Sequence, residues 1–341
     1  MVMFTIYLKE SKTDRNIKMK IISKQLLFNT AKTATAAILS ILFASLLKLD
    51  FAISAGIVTI LTIQPTKKET IKTALGRLYA FMVAMAIAYV SFHMIGFHVE
   101  AYFLYLVVFI FVCQIGKWHS AIAMNSVLIS HFITFGNMEL HAICNEVVIF
   151  GLGVGIGIGA NLHLRKKVHY IEELKLGTDE QIIRILSRMS ERILSQDKSD
   201  YNGECFASLK TQIQRAKNVA EENFNNQFGS GDIYDMEYIK MREEQIQVLY
   251  EMYKNVRAIH TIPATAEKIS VFLREMSEVY HRNNTGKDLM EQFLELDASM
   301  KSQPLPVERN EFEDRAKLFG LLRSIEEFIQ IKKDFAKKYP A

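Results

Sequence analysis

The stretch AICNEVVIFGLGVGIGIGANLHL, residues 142–164, ends abruptly at a basic triplet, Arg165, Lys166 and Lys167. It is long and apolar enough to cross a bilayer as one helix, because a span takes about 20 residues. Outward from this boundary the chain has two compositions. Lys, Arg, Asp and Glu occupy 12 of 137 positions in residues 28–164 and 58 of 177 in residues 165–341. Hydrocarbon tolerates the first composition and water suits the second, which predicts a membrane module followed by a soluble domain.

The net charge of +4 averages two unlike halves. Residues 165–341 carry 28 basic and 30 acidic side chains, which argues against a nucleic-acid-binding surface. The same residues contain no phosphate-binding loop, nucleophile elbow, HExxH motif or Cys/His metal spacing. We therefore expect no enzymatic activity, no cofactor, no metal centre and no nucleic-acid partner.

Six apolar segments precede the boundary, at roughly 28–47, 50–64, 77–97, 101–116, 118–137 and 142–164. The second and the fourth are short for a span of about 20 residues. Two topologies fit this pattern: six full crossings, or four crossings with a re-entrant pair. With six crossings every cluster of Lys and Arg falls on one side of the membrane, which should be the cytoplasmic side. The basic residues therefore favour six crossings.

The sequence thus predicts an all-α protein with three parts. Residues 1–18 are a disordered N-terminal extension, residues 19–165 a six-span module with both ends in the cytoplasm, and residues 166–341 a cytoplasmic helical domain. Apolar side chains recur at three-to-four spacing in the last part. Polar breaks divide it into five or six helices of an antiparallel bundle. The breaks lie at 196–203, 227–232, 261–264, 282–286 and 302–306.

The stretch GIVTILTIQPTKKET, residues 56–70, and the following pair Gly76 and Arg77 resemble a loop region of the aromatic acid exporter family. The similarity is to the branch of that family in low-GC Gram-positive bacteria. It implies a fusaric-acid-resistance-like module of six membrane helices in the bacterial inner membrane, joined to a cytoplasmic helical domain. It also implies aromatic carboxylic acids as the substrate class.

Thr66 and Glu69 have the spacing of a capping box, which predicts a helix that begins at Lys67. Pro65 cannot continue the preceding helix. The new helix then carries a basic group near its N-terminus, a position that favours anions: Lys67, Lys68, Lys72 and Arg77. These side chains either gather a carboxylate substrate or fix the orientation and contact lipid headgroups.

Lys32 is a second candidate for binding an anion, because it lies about 12 Å deeper in its segment than Lys24. An ionisable group inside a span is costly and points to function. Lys32 either pairs with a substrate carboxylate or snorkels back to the headgroups. Gln64, Arg77 and Asn125 complete the substrate-binding hypothesis. Asn125 lies near a stripe of small residues that either packs helices together or touches substrate: Ala123, Ser126, Ser130 and Thr134.

His93, His131 and Glu146 are expected at similar depth, near the outer ends of the third, fifth and sixth segments. Three titratable groups in one layer could form a proton relay. The alternative is that each side chain reaches the outer interface alone.

Glycines alternate through the sixth segment. Gly151, Gly155 and Gly159 have the small-xxx-small spacing of close helix contacts. This ridge either packs against a neighbouring helix or, because glycine loosens a helix, forms a hinge during transport.

Together these observations predict a secondary, proton-coupled exporter of small organic anions, with aromatic carboxylic acids as the leading substrate class. The expected partners are the lipid bilayer, the anionic substrate and further copies of the chain in a homo-oligomer. The alternative is a non-transporting membrane scaffold or sensor whose cytoplasmic bundle binds a protein. A cavity lined by Lys32, Gln64 or Asn125 would favour transport.

Overall fold

The computed structural model of the protein describes residues 26–162, 167–227, 232–263, 265–282 and 284–340. Within these ranges the chain is helical and contains no β-strand, which confirms the predicted all-α fold. The chain divides into two compact units, Met1–Arg165 and Lys166–Ala341, which we call the N-terminal unit and the C-terminal unit. The predicted extension, residues 1–18, lies outside the described residues.

Each predicted apolar segment of the N-terminal unit corresponds to one α-helix, and the third helix begins ten residues before its segment. The helices are α1 (Leu26–Leu46), α2 (Ala52–Thr62), α3 (Lys67–Ile95), α4 (Val99–Ile115), α5 (Ile122–Phe135) and α6 (Leu140–Leu162), with a short 3-10 helix, His119–Ala121, before α5.

Three of these helices are long and apolar enough to cross a membrane: α1, α3 and α6, with 21, 29 and 23 residues. The helices α2, α4 and α5 have 11, 17 and 14 residues. At 1.5 Å per residue α2 is only about 16 Å long, roughly half the thickness of the hydrocarbon layer. The prediction that the second and fourth segments are short is confirmed, and α5 is shorter still than α4.

The fifth helix is short because the chain turns before it. α4 ends at Gly116, where the Gly116 amide donates to Val112 O at 2.9 Å. Lys117 then takes a left-handed conformation with φ 57°, and Trp118 N donates back to Cys113 O at 2.9 Å. The 3-10 turn follows, so the α-helix starts only at Ile122.

Both ends of α2 are fixed by local chemistry. Lys48 and Phe51, with φ 55° and 57°, turn the chain from α1 into α2. After α2, Ile63 is extended and Thr66 becomes the N-cap of α3, where its Oγ1 accepts from Glu69 N at 3.3 Å. The predicted helix start at Lys67 is confirmed.

Glycines in α6 allow α2 to approach closely. A Cβ built on Gly153 would lie 2.5 Å from Val58 Cβ, and one built on Gly157 would lie 2.8 Å from Thr62 Cβ. Both distances are too short for real carbon atoms, so only glycine fits. The predicted ridge of Gly151, Gly155 and Gly159 makes no close contact with another described helix of this chain. Within 4 Å of a Cβ on Gly151, Gly155 or Gly159 no described atom outside their own helical surroundings is found.

In the part of the C-terminal unit that the structure describes there are six helices. They are α7 (Val168–Arg192), α8 (Glu204–Asn225), α9 (Tyr234–Ala258), α10 (Thr265–Val279), α11 (Lys287–Lys301) and α12 (Arg309–Lys338). Every predicted break falls in a segment between two of them. α9 packs along α12, and α7 contacts α8, α9 and α10. The six helices contribute to an apolar core that includes Leu186, Leu249, Leu273 and Ile325, and α7, α8 and α9 share a second apolar cluster.

Candidate functional site

Lys32 reaches across from α1 to α6. Its Nζ donates to Asn161 Oδ1 at 2.8 Å, and Asn161 is only 1% exposed. The amide nitrogen of Asn161 in turn donates to Gln64 O at 2.7 Å and to Thr70 Oγ1 at 2.5 Å. One buried amide therefore joins Lys32 to the turn between α2 and α3. Asn161 was not predicted as a site residue. The one feature of the sequence that could have indicated it is a single amide side chain at the end of an apolar helix.

Arg77 meets the same turn from α3. Its guanidinium donates from Nη1 to Leu61 O and from Nε to Ser120 O, the latter at 3.2 Å. The side chain of Gln64 also donates to Leu61 O, at 2.9 Å. The last carbonyls of a helix lack partners within it, and a cation complements the negative end of the helix. Arg77 and Gln64 therefore cap α2.

We call Lys32, Gln64, Arg77 and Asn161 the α2 C-terminal cluster. The two cations in it are contacted by neutral groups. Among the described residues neither Lys32 nor Arg77 forms an ion pair with a carboxylate. Arg77 is only 4% exposed, and a buried charge without a counter-charge is costly. The negative end of α2 offsets part of the charge of Arg77, so Lys32, which is held by a neutral amide, is the cation of this cluster that is suited to bind an anion.

Lys32 also lines a groove of about 610 Å³ between α1 and α6. The rest of the groove is mostly apolar, with Phe28, Leu39 and Ile156 among its walls and Gly159 on its α6 side. A single cation in an apolar groove is suited to an amphipathic anion, whose ring can contact the walls while its charge meets the ammonium group.

Asn125 lies on α5 beside Arg77. It is fully buried, and its Nδ2 is 3.5 Å from Arg77 O. Its Oδ1 has no hydrogen-bond partner among the described residues, which is uncommon for a buried amide. The predicted packing role of the surrounding small residues is wrong for Ala123 and Thr134, since both are exposed.

His131 and Glu146 form a buried pair at the other end of α2. His131 Nδ1 lies 2.9 Å from Glu146 Oε2, and the two residues are 8% and 0% exposed. The other ring nitrogen of His131 lies 3.2 Å from Ser54 Oγ in the first turn of α2. Asn145 donates to Glu146 Oε1 at 3.0 Å. We call Ser54, His131, Asn145 and Glu146 the α2 N-terminal cluster; its imidazole and carboxylate can exchange a proton.

His93 does not join this cluster. Its ring is exposed, its Nδ1 lies 3.2 Å from Tyr89 O, and it contacts the Tyr89 ring at a centroid distance of 4.1 Å. Residues four apart share one face of a helix, and this face of α3 is exposed. The predicted layer of three titratable groups is therefore reduced to two that touch.

The two clusters are connected by α2. Ser54 belongs to the first turn of this helix and Leu61 to the last, so they are about 10 Å apart along its axis. α2 is held against α6 by Gly153 and Gly157. A movement of this short helix would affect both clusters together.

These features define a helical membrane protein with an anion-suited polar cluster and a separate His–Glu pair, followed by a helical C-terminal unit. The chain belongs to the aromatic acid exporter family. Residues 25–164 match the model "Aromatic acid exporter family member 1", and residues 169–333 match the "Putative aromatic acid exporter C-terminal domain". The family is one of membrane efflux proteins, which indicates a transporter rather than an enzyme and does not favour a scaffold.

Two relatives illustrate the similarity. "Uncharacterized protein YqjA" of Bacillus subtilis (strain 168) is 30% identical over 312 residues, which cover 90% of this chain and 95% of that protein. The crystal structure of a "putative membrane protein from Clostridium difficile 630" is 27% identical and covers 49% of this chain and 99% of its own, with a TM-score of 0.44.

Proposed function

We propose that the protein is a secondary exporter that moves small organic anions, in particular aromatic carboxylic acids, out of the cell in exchange for protons. The observation that carries the proposal is Lys32, a cation held by a neutral amide in an apolar groove of about 610 Å³. The carboxylate of the substrate would meet Lys32 and the ring would lie against the groove. As the substrate passes α2, Arg77 would change its hydrogen-bond partners. Asn125 would take part through its Oδ1, which has no partner among the described residues.

The His131–Glu146 pair is the candidate for proton coupling. It is buried, it is hydrogen-bonded, and it contacts the same short helix as the anion-suited cluster. Protonation of this pair would alter its contact with Ser54, and α2 would communicate that change to Leu61. This arrangement supports coupling through α2 without direct contact between proton and substrate.

The membrane arrangement in this proposal has six crossings, with both ends of the N-terminal unit and the whole C-terminal unit in the cytoplasm of a bacterial inner membrane. The distribution of Lys and Arg supports it. Because α2 has only 11 residues, a re-entrant α2 is the alternative. The open glycines of α6 outside the groove, Gly151 and Gly155, support a homo-oligomer. Cysteine labelling from outside, applied to Glu139→Cys and Lys117→Cys variants, tests the orientation.

The substrate role of Lys32 is tested by efflux of preloaded benzoate from cells that carry equal amounts of each variant. Lys32→Gln keeps a donor for Asn161 but removes the charge, so we expect efflux to fall by roughly tenfold to a hundredfold, the value of a hydrogen bond to a charged group. Lys48→Gln, at an exposed lysine outside the groove, is the control. Normal efflux in Lys32→Gln would reject the role.

Proton coupling is tested in vesicles with an imposed pH gradient. Glu146→Gln should abolish the response of benzoate transport to the gradient, because an amide does not exchange protons as a carboxylate does. His93→Gln should leave that response intact, since the exposed His93 does not touch the pair. An unchanged gradient response in Glu146→Gln would remove the pair from the mechanism.

A further inference from the structure

A cleft of about 480 Å³ lies within the C-terminal unit, between α9, α12 and the segment that follows α10. Its volume is in the range of small-molecule sites, about 300–1,000 Å³. None of the residues that line it belongs to the clusters around α2. The described lining residues include two charged side chains, Arg282 and Lys332; both are cations, and Arg282 is paired with Glu172.

Three aromatic rings form one side of the cleft. Tyr234 and Phe335 have ring centroids 5.7 Å apart, Phe335 and Tyr339 are 5.1 Å apart, and Tyr234 and Tyr339 meet edge to face at 5.6 Å. Rings at these separations pack favourably. All three residues line the cleft, so they give it an aromatic wall that a planar apolar group can contact.

Lys332 supplies the charge. It is 3% exposed, and its Nζ donates to the carbonyl oxygen of Arg282 at 2.9 Å. An ammonium group has three donors, so others remain available. In the portion of the unit that the structure describes, Lys332 has no carboxylate within ion-pair distance, whereas its neighbour Arg242 pairs with Asp179 at 2.8 Å.

The environment of Lys332 is unfavourable for its charge in the absence of an anion. Burial lowers the pKa of Lys332 to about 7, and the positive charges of Arg242 and Arg282 act in the same direction against the attraction of Asp179. If Lys332 served only to pack the helices, an apolar residue could replace it without the free-energy cost of burying a charge. An anion in the cleft would supply the missing counter-charge.

We propose that this cleft is a binding site for a small aromatic carboxylate, with the carboxylate on Lys332 and the ring against Tyr234, Phe335 and Tyr339. Asn284 and Thr285 add polar side chains at the same cleft. The site would make the C-terminal unit a sensor for molecules of the class that the proposed function exports. The binding itself rests on the cleft and does not require transport.

The test is equilibrium dialysis of radiolabelled benzoate against the full-length protein in detergent. Binding is measured in the wild type and in a Lys32→Gln background, and the second background removes the contribution of the groove in the N-terminal unit. In that background we expect saturable binding of one benzoate per chain, and competition by unlabelled benzoate but not by acetate or benzyl alcohol at equal concentration. The first competitor lacks the ring and the second lacks the charge.

Substitutions then locate the site. Lys332→Gln removes the charge and should weaken binding by tenfold or more, while Lys332→Arg should stay within about threefold of the parent. Ala336→Trp fills the cleft without changing any charge and should abolish binding. Lys337→Gln, at an exposed lysine of the same helix that does not line the cleft, should bind normally. Size-exclusion chromatography verifies that each variant is folded.

Binding that is lost in the Lys32→Gln background but present in the wild type would overturn this site while leaving the transport proposal intact. Binding that persists unchanged in both Lys332→Gln and Ala336→Trp would also overturn it. Conversely, normal binding here in a protein that shows no efflux would reject the proposed function and keep the site.

Discussion

The two units bury cations in different ways. In the C-terminal unit, Arg242 is fully buried and its Nε lies 2.8 Å from Asp179 Oδ1. In the N-terminal unit, Lys32 and Arg77 meet only neutral oxygens within the described ranges. A buried charge needs a counter-charge or good hydrogen bonds. The charge of Arg242 is therefore compensated within the protein, whereas Lys32 in the N-terminal unit is suited to bind an anion.

The environment of Arg242 shows what a complete arrangement contains. Tyr238 OH donates to the other oxygen of Asp179 at 2.6 Å, and Arg242 also donates to Gln245 Oε1 at 2.7 Å. Burial raises the pKa of Tyr238, so its hydroxyl stays a neutral donor. The carboxylate, the guanidinium and the hydroxyl together hold α7 to α9.

The largest effect is expected from removing the counter-charge in this complete arrangement. Asp179→Asn leaves Arg242 buried and unpaired, which should lower the stability of the C-terminal unit by about 3–5 kcal/mol. Hydrogen exchange of the amides in α7 and α9 measures this opening separately from the N-terminal unit. Glu251→Gln, which breaks an exposed pair with Lys254, should change little. If the amides of α7 and α9 exchange equally slowly in Asp179→Asn and in the wild type, Arg242 does not need Asp179 as a counter-charge.

A smaller effect is expected from giving Lys32 a carboxylate partner of its own, as Arg242 has in Asp179. Thr35 lines the groove one helical turn from Lys32, so Thr35→Glu supplies an internal counter-charge. Benzoate efflux should then fall by at least about tenfold, because like charges brought together cost several kcal/mol. Thr35→Gln has nearly the same shape without the charge and should export normally. Equal efflux by the two variants would show that the groove does not carry the anion.

Sequence reasoning located the helices well because their ends carry local signals. Thr66 and Glu69 fix the start of α3 through contacts within one turn, and Pro65 ends what precedes them. The polar breaks in the C-terminal unit are equally local. The start of α5 could not be predicted in this way, because the left-handed position after Gly116 is taken by Lys117 and not by the glycine itself.

The site was only partly predictable. The sequence indicates how far along a helix a residue lies, but it indicates less well which neighbouring helix the side chain faces. His93 and His131 were expected at similar depth, yet His93 faces outward and only His131 meets Glu146. The glycine pattern in α6 offers two equivalent faces, and only the position of α2 selects Gly153 and Gly157. Asn161 gave no sign of its partners, which come from α1, α3 and the turn after α2.

The cleft in the C-terminal unit differs from the environment of Arg242, because Lys332 is a buried cation without a carboxylate of its own. The groups that face it are Asp179 on α7, Arg242 and Tyr238 on α9, and Arg282 after α10. Asp179 is already committed to Arg242. Tyr238, whose pKa is raised by burial, is neutral in the physiological range. Lys332 is therefore the group of this set that changes charge near neutral pH.

The smallest effect we predict is the pH dependence of benzoate binding to this cleft. Since burial lowers the pKa of Lys332 to about 7, the ammonium form dominates below that pH and is lost as the pH rises through it. A bound carboxylate stabilises the ammonium form, so affinity should fall about tenfold between about pH 6 and pH 8. Benzoate is ionised throughout this range and contributes no change. Lys332→Arg stays charged and should give a flat profile in the same dialysis measurement. If the wild type is equally flat, or if Lys332→Arg retains the slope, the carboxylate does not bind at Lys332.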